Sequence, residues 1–180
     1  APGSQSPTEV ISPSCRTVEG RDGKVALALF TPLSGGNMLD HLVDMGVRTL
    51  VCHEHWTPIQ NSHIPSDPQG LHELVEACHE RNLKLLLYWG YEISTIHPEW
   101  DAYAAECLVA PRQGAYTREP KQTAYNVCYE SPWQDYIAWS IAKVMDEYGI
   151  DGVYLDGTAH PHACANALHG CGYVRDGQRR

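Results

Sequence analysis

Hydrophobic positions along this chain switch between two rhythms. "KVALALFTP" is a continuous apolar run and predicts a buried strand over Val25–Phe30. "GGNMLDHLVDMG" places Met38, Leu39, Leu42 and Val43 on one helical face, with Gly46 as the stop. "VRTLVCHEHW" predicts a second buried strand. "SDPQGLHELVEACHERN" predicts a helix capped by Asp67, opened by Pro68 and carrying Leu71, Leu74, Val75 and Cys78 on its inner face, with Asn82 as its end. "LKLLLYWGYE" predicts a third strand, and "HPEWDAYAAECLV" another short helix. "APRQGAYTREPKQTAYNVCYE" has no clear period and is expected to be an irregular loop. "SPWQDYIAWSIAKVMDEYG" is the clearest helix. Ser131 and Gln134 form a capping box, Gly149 ends it, and Trp133, Ile137, Ile141, Val144, Met145 and Tyr148 form its stripe. "DGVYLDG" predicts the fourth strand, and the tail beyond it is expected to be loop.

Continuous apolar strands alternating with amphipathic helices specify an α/β protein with a parallel sheet covered by helices. The first strand-to-helix turn, "TPLSGGN", lacks the G-x-G-x-x-G pattern of dinucleotide folds. The expected fold class is therefore a set of parallel β/α units forming part of a (β/α)8 barrel, with about four strands present. A whole barrel takes about 250 residues. The expected organisation is a linker or leader over 1–23, a partial barrel over 24–158, and a His/Cys-containing tail over 159–180.

Charge narrows the partners. The formal net charge of −9 disfavours nucleic acid and anionic membranes, which need clustered Lys and Arg. No apolar run approaches a membrane span, and the start "APGSQSPTEVISPS" lacks the charged and apolar regions of a signal peptide. A secreted or periplasmic location is expected over a cytoplasmic one.

Seven cysteines cannot all pair within the chain. Cys52 and Cys78 fall in predicted elements, where a free Cys behaves as a small hydrophobe, and Cys128 is given the same reading. The tail holds His160, His162, Cys164, His169 and Cys171. These ligand types suit Zn²⁺, but their spacing matches no standard zinc motif. A Cys164–Cys171 disulfide is the competing reading, and the sequence assigns neither a metal nor a cofactor.

Chemistry gathers where the strands end. The second strand ends in His53, Glu54, His55 and Trp56; the third in Tyr88, Trp89, Tyr91 and Glu92; the fourth in Tyr154 and Asp156. In a parallel sheet all lie at the edge where ligands bind. Asp156 reads as a catalytic carboxylate, with a loop cap as its bland alternative. Glu92 reads as a second carboxylate, the pair that glycosidic cleavage requires. The histidines, Glu54, the aromatics and Tyr154 read as substrate contacts, since sugars offer apolar C–H faces to rings and hydroxyls to polar groups. His53 and His55 also form an H-x-H, which leaves open a metal-dependent hydrolase. A non-catalytic carbohydrate-binding domain is the third reading.

The segments "GVRTLVCHEHWTPI", "SDPQGLHELVEACHERNLKLLLYWGY", "HPEW" and "PWQDYIAWSIAKVMDEYGIDGVYLDGT" resemble the first half of a TIM-barrel glycoside hydrolase. The layout is similar to α-amylase and α-galactosidase barrels, and to bacterial barrels near glycoside hydrolase family 123. The resemblance covers Lys24 to Thr158. It implies a carbohydrate substrate, with Asp156 as nucleophile or as stabiliser of the transition state. Tyr154 stands where the amylase pattern has Arg, and Gly157 follows Asp156 where the family-123 pattern has Glu. In many such barrels the general acid comes from a later strand. These residues are therefore expected to be inactive alone or to need a partner half, and their edge strands to invite self-association.

Overall fold

The computed structural model describes residues 17–19, 25–27, 32–33, 36–53, 55–157 and 161–180. Two antiparallel ribbons come first. β1 (Thr17–Glu19) pairs with β2 (Val25–Leu27), and β3 (Pro32–Leu33) pairs with β4 (Gly36–Asn37). Helix α1 (Met38–Asp44) leads to β5 (Thr49–Cys52), α2 (Pro68–His79) and β6 (Lys84–Trp89). Then come β7 (Glu92–Ser94), α3 (Trp100–Cys107), β8 (Gly114–Arg118), β9 (Gln122–Asn126), α4 (Trp133–Tyr148) and β10 (Gly152–Leu155). The tail forms a 3-10 turn at Ala167–His169 and a hairpin of β11 (Val174–Arg175) and β12 (Gln178–Arg179).

The central sheet has the order β10-β6-β5. β5 and β6 are parallel, with Leu50 opposite Leu85 and Cys52 opposite Leu87. β10 runs in the same sense, since Asp151 N–H bonds to the Leu85 carbonyl at its start and Asp156 N–H to the Trp89 carbonyl at its end. Three strands thus make this sheet among the described residues, rather than the four expected. Val25–Leu27 instead pairs antiparallel with Thr17–Glu19 in a separate ribbon, and residues 28–30 lie outside the described set.

The chain packs as two units. Among the described residues, one comprises those up to Trp56 with Pro65–Tyr88 and Val144–Tyr154; the other comprises those of Thr57–Ile64, Trp89–Lys143 and Leu155–Arg180. In the first, Leu50, Leu85 and Leu87 from the sheet and Leu39, Leu74 and Cys78 from the helices are fully buried. Each such leucine contributes about 2 kcal/mol through burial. Burial also pushes the Cys78 thiol up to about 12, so this cysteine is an inert core group.

Local chemistry sets the ends of the elements. Asp67 is extended and its Oδ1 accepts the Gly70 N–H at 2.9 Å, as the N-cap of α2. Asn82 has φ +54°, the left-handed conformation that stops the chain after that helix. Ser131 departs from the expected capping box. Its hydroxyl donates to the Cys128 carbonyl at 2.6 Å, while Gln134 N–H reaches only the Ser131 carbonyl. The buried stripe of α4 is Trp133, Ile137, Ser140, Val144 and Tyr148, with Met145 exposed.

The second unit contains a sheet that the sequence reading missed. β7, β9 and β8 form an antiparallel sheet in the order β7-β9-β8, and β8 and β9 lie in the stretch expected to be loop. The inner positions of β9 are Gln122 and Ala124 rather than large hydrophobics. Gln122 is a buried hub. Its Oε1 accepts from Gln60 N–H at 3.0 Å and Ser94 Oγ at 2.7 Å, and its Nε2 donates to the Pro58 carbonyl at 2.9 Å. The amide is therefore satisfied on both sides, as burial demands.

Candidate active site

Asp156 stands one residue beyond β10 and is exposed. Its N–H bonds to the Trp89 carbonyl at 2.8 Å, which fixes its backbone to the end of β6. Its Oδ1 accepts the Gly157 N–H at 2.8 Å. Gly157 has φ +70°, so the chain turns sharply past the carboxylate.

Glu92 opens β7 and comes to the same place. A Cβ built on Gly157 would meet Glu92 Oε1 at 3.4 Å, so the second carboxylate lies beside the residue that follows Asp156. Its other oxygen is held from two sides. Oε2 accepts from Asn61 Nδ2 at 3.1 Å and from Tyr91 N–H at 3.0 Å. The structure thus places Glu92 beside Gly157, the chain neighbour of Asp156.

Tyr91 and Tyr129 complete the surroundings. Their rings meet edge to face, with centroids 4.5 Å apart. Tyr129 Oη donates to the Gly157 carbonyl at 3.0 Å. Burial pushes the Tyr91 phenol up to about 12. It also raises that of Tyr129, with the negative charge of Glu92 adding to the effect. Both hydroxyls stay protonated at neutral pH and can act as donors.

Two residues here escaped the sequence reading. Asn61 is buried, and its Oδ1 accepts the Gly90 N–H at 2.6 Å. Tyr129 lay in the stretch expected to be loop. "TPIQNS" carries no motif, so nothing in the sequence marks Asn61. Tyr129 follows Cys128 shortly before a helix, a weak signal at best.

The remaining candidates are distributed differently. In the first unit, the His53 ring lies tilted against Tyr88 with centroids 4.0 Å apart, and Tyr88 stacks on Tyr154 at 6.0 Å. Tyr154 is exposed, whereas Tyr88 is nearly buried. Trp56 is a core residue whose Nε1 donates to the Tyr88 carbonyl at 2.9 Å. Trp89, in the second unit, is fully buried. Rings so enclosed offer no face to a sugar. His55 is exposed, and Glu54 lies outside the described residues.

Cysteine chemistry differs from expectation at two points. Cys52 is disulfide-bonded rather than a free hydrophobe. Cys164 and Cys171 are free thiols and form no disulfide with each other. His160 lies outside the described residues.

A separate groove of about 360 Å³ is lined by Glu99, Tyr103, Pro132, Trp133, Tyr136 and Trp139 and contains neither carboxylate. No helix among the described residues is long and apolar enough to cross a membrane.

The α-N-acetylgalactosaminidase of Bifidobacterium bifidum superposes with a TM-score of 0.56 at 18% identity, covering 90% of this chain and 28% of that one. The α-galactosidase of Thermus thermophilus gives 0.52 at 18% identity, covering 65% and 27%. The α-amylase of Geobacillus thermoleovorans gives 0.50 at 17% identity, covering 69% and 33%. The chain spans no more than about a third of the length of any of these three. At such identities the likeness speaks to fold: α/β units of the kind found in TIM-barrel glycosidases. No curated protein matches the sequence. The family model of hypothetical glycosyl hydrolase 6 matches residues 34–157. That match covers most of the chain, which therefore belongs to the hypothetical glycosyl hydrolase 6 family.

Proposed function

We propose that this chain carries part of the catalytic site of a glycoside hydrolase. The observation that supports it is the meeting of Asp156, at the end of a parallel strand, with Glu92 beside Gly157. Two carboxylates in one place are what glycosidic cleavage uses. In this reading Asp156 forms, or electrostatically supports, the developing bond at the anomeric carbon. Glu92 handles a proton or a sugar hydroxyl through Oε1, since Oε2 is held by Asn61 and the Tyr91 amide. Tyr91 donates a hydrogen bond to the sugar, and the Tyr129 oxygen, whose proton is held by the Gly157 carbonyl, accepts one. In the other unit, the exposed Tyr154 and the half-buried His53, both packed on the buried Tyr88 ring, offer a ring surface of their own for a carbohydrate.

The metal-dependent reading on His53 and His55 gains no support from the geometry. Among the described residues, the metal-ligating groups that converge are four others, elsewhere in the chain.

The test is hydrolysis of a panel of aryl α- and β-glycosides by the protein in its full natural length. Asp156→Asn should lower kcat/KM by roughly 10³-fold with the circular dichroism spectrum unchanged, and Glu92→Gln by at least roughly tenfold. Full activity in Asp156→Asn would overturn the assignment. Saturable sugar binding without turnover in the wild type would replace it with a binding role.

A further inference from the structure

Cys128, Cys164, His169 and Cys171 converge on one point. One ligand atom from each lies within 4.8 Å of all the others. Cys128 Sγ is 3.4 Å from Cys171 Sγ, and His169 Nδ1 is 3.4 Å from Cys171 Sγ and 3.9 Å from Cys164 Sγ. For a tetrahedral Zn²⁺ with its usual bond lengths, sulfur–sulfur edges are about 3.8 Å and sulfur–nitrogen edges about 3.5 Å. The observed edges lie around those values. All four residues belong to the same packed unit, and the three cysteines are free thiols.

The backbone around the cluster is arranged to hold it. Cys128 is tied down by its N–H on the Cys107 carbonyl at 2.8 Å. Ala165 N–H bonds to the Ala110 carbonyl at 2.8 Å. Asn166 anchors the tail: its Nδ2 donates to the carbonyls of Ala105 and Leu108, both at 3.1 Å. Its Oδ1 accepts the Leu168 N–H at 3.0 Å and so caps the 3-10 turn that delivers His169. Its own N–H points at Cys164 Sγ at 3.4 Å, the kind of amide–sulfur contact that steadies a thiolate. Gly170 and Gly172 have φ of +71° and +81° and let the chain curl Cys171 back.

We infer that Cys128, Cys164, His169 and Cys171 form a structural zinc site. Three sulfurs and one imidazole fill all four tetrahedral positions, leaving none for a substrate or a water, so the site is not catalytic. It fastens the tail to the segment between β9 and α4. It also adjoins the carboxylates through the chain, because Tyr129 follows Cys128 directly and bonds to the Gly157 carbonyl. The zinc assignment rests on its own residues and stands whether or not the glycosidase reading does.

The experiment is metal analysis of the protein purified without chelator, with Co²⁺ uptake by the reduced, metal-stripped protein as a second readout. The expected result is one zinc per chain. Co²⁺ should give tetrahedral d–d bands with sulfur-to-metal charge transfer from three thiolates. Cys164→Ser and His169→Ala should lose the zinc, whereas His53→Ala keeps it. Should those variants fail to fold, the Co²⁺ spectrum of the wild type still decides. Failure of the reduced wild type to take up either metal would overturn the inference. So would zinc retained in both variants, or a Co²⁺ spectrum without thiolate charge transfer.

Discussion

Asn61 clamps Glu92. Its side-chain amide donates both to the Glu92 carbonyl, at 2.8 Å, and to the Glu92 carboxylate, at 3.1 Å. Its carbonyl oxygen meanwhile accepts from Gly90 N–H and from Gln60 Nε2. One buried amide therefore fixes the backbone before β7 and the acid that opens it. Asn61 adopts φ +56°, a conformation that Asn tolerates better than most residues.

Replacing that amide should be costly. Asn61→Ala leaves the Gly90 N–H and the Glu92 carbonyl without their partner, and should destabilise the protein by about 1–3 kcal/mol. Urea denaturation would measure it. On the glycosidase reading, turnover should fall as well, because Glu92 loses one of its two positioning contacts.

Gly90 leaves room for this arrangement. A Cβ there would meet Glu92 Oε2 at 2.5 Å and Asn61 Oδ1 at 3.0 Å. Gly90→Ala should therefore push both side chains apart and cost about 1–3 kcal/mol, read as a lower denaturation midpoint. An unchanged midpoint would mean that the clamp yields freely.

Asp151 ties β10 to β6. Its carboxylate accepts from Leu85 N–H at 2.9 Å, His79 Nε2 at 2.9 Å and Lys84 Nζ at 3.2 Å. Burial raises its pKa, but these donors outweigh that and hold it below the ordinary 3.8. A depressed carboxylate stabilises the fold above its unfolded pKa and loses that contribution as pH falls through the folded value. Asp151→Asn should cost about 1–2 kcal/mol at neutral pH. The gap to wild type should close once the pH drops below the folded pKa.

His97 gives a second, separate pH window. Its Nδ1 accepts the Glu99 N–H at 3.1 Å, so Nε2 carries the proton and meets Tyr136 Oη at 2.9 Å. Burial, helped by the nearby His63, lowers its pKa from 6.5 to about 4. The unfolded chain therefore takes up a proton first as the medium acidifies. Stability should fall between pH 6.5 and about 4, by up to roughly 1.4 kcal/mol per pH unit. In a series of urea titrations, His97→Phe should flatten that slope whatever its baseline.

Legibility followed the kind of signal. α2, β5 and β6 were plain because large apolar residues mark their buried faces and Asp67, Pro68 and Asn82 mark a helix's ends, while β10 was marked by its apolar run although Tyr154 and Leu155 are exposed. The β8–β9 hairpin was hidden because its inner positions are Gln122 and Ala124, and "REPK" at its turn masks the alternation. Ser131 and Gln134 satisfied the capping pattern, yet the hydroxyl found a nearer acceptor in Cys128. Asp156 and Glu92 were visible as acids at strand ends. Asn61 was not, since its partners lie about thirty positions away and only folding brings them near. The sulfur cluster was hidden for the same reason: three ligands sit in the tail, and Cys128 comes from far upstream.

The region matched by the family model closes at residue 157. Cys164, His169 and Cys171 come after that border, while Cys128 lies within it. Anyone trimming the gene to the family border would keep both acids and the clamp on Glu92. The same cut would strip Cys128 of its companions and bare the carbonyls of Ala105 and Leu108 that Asn166 covers. A truncated preparation that tests as inert would then report on the cut rather than on the chemistry.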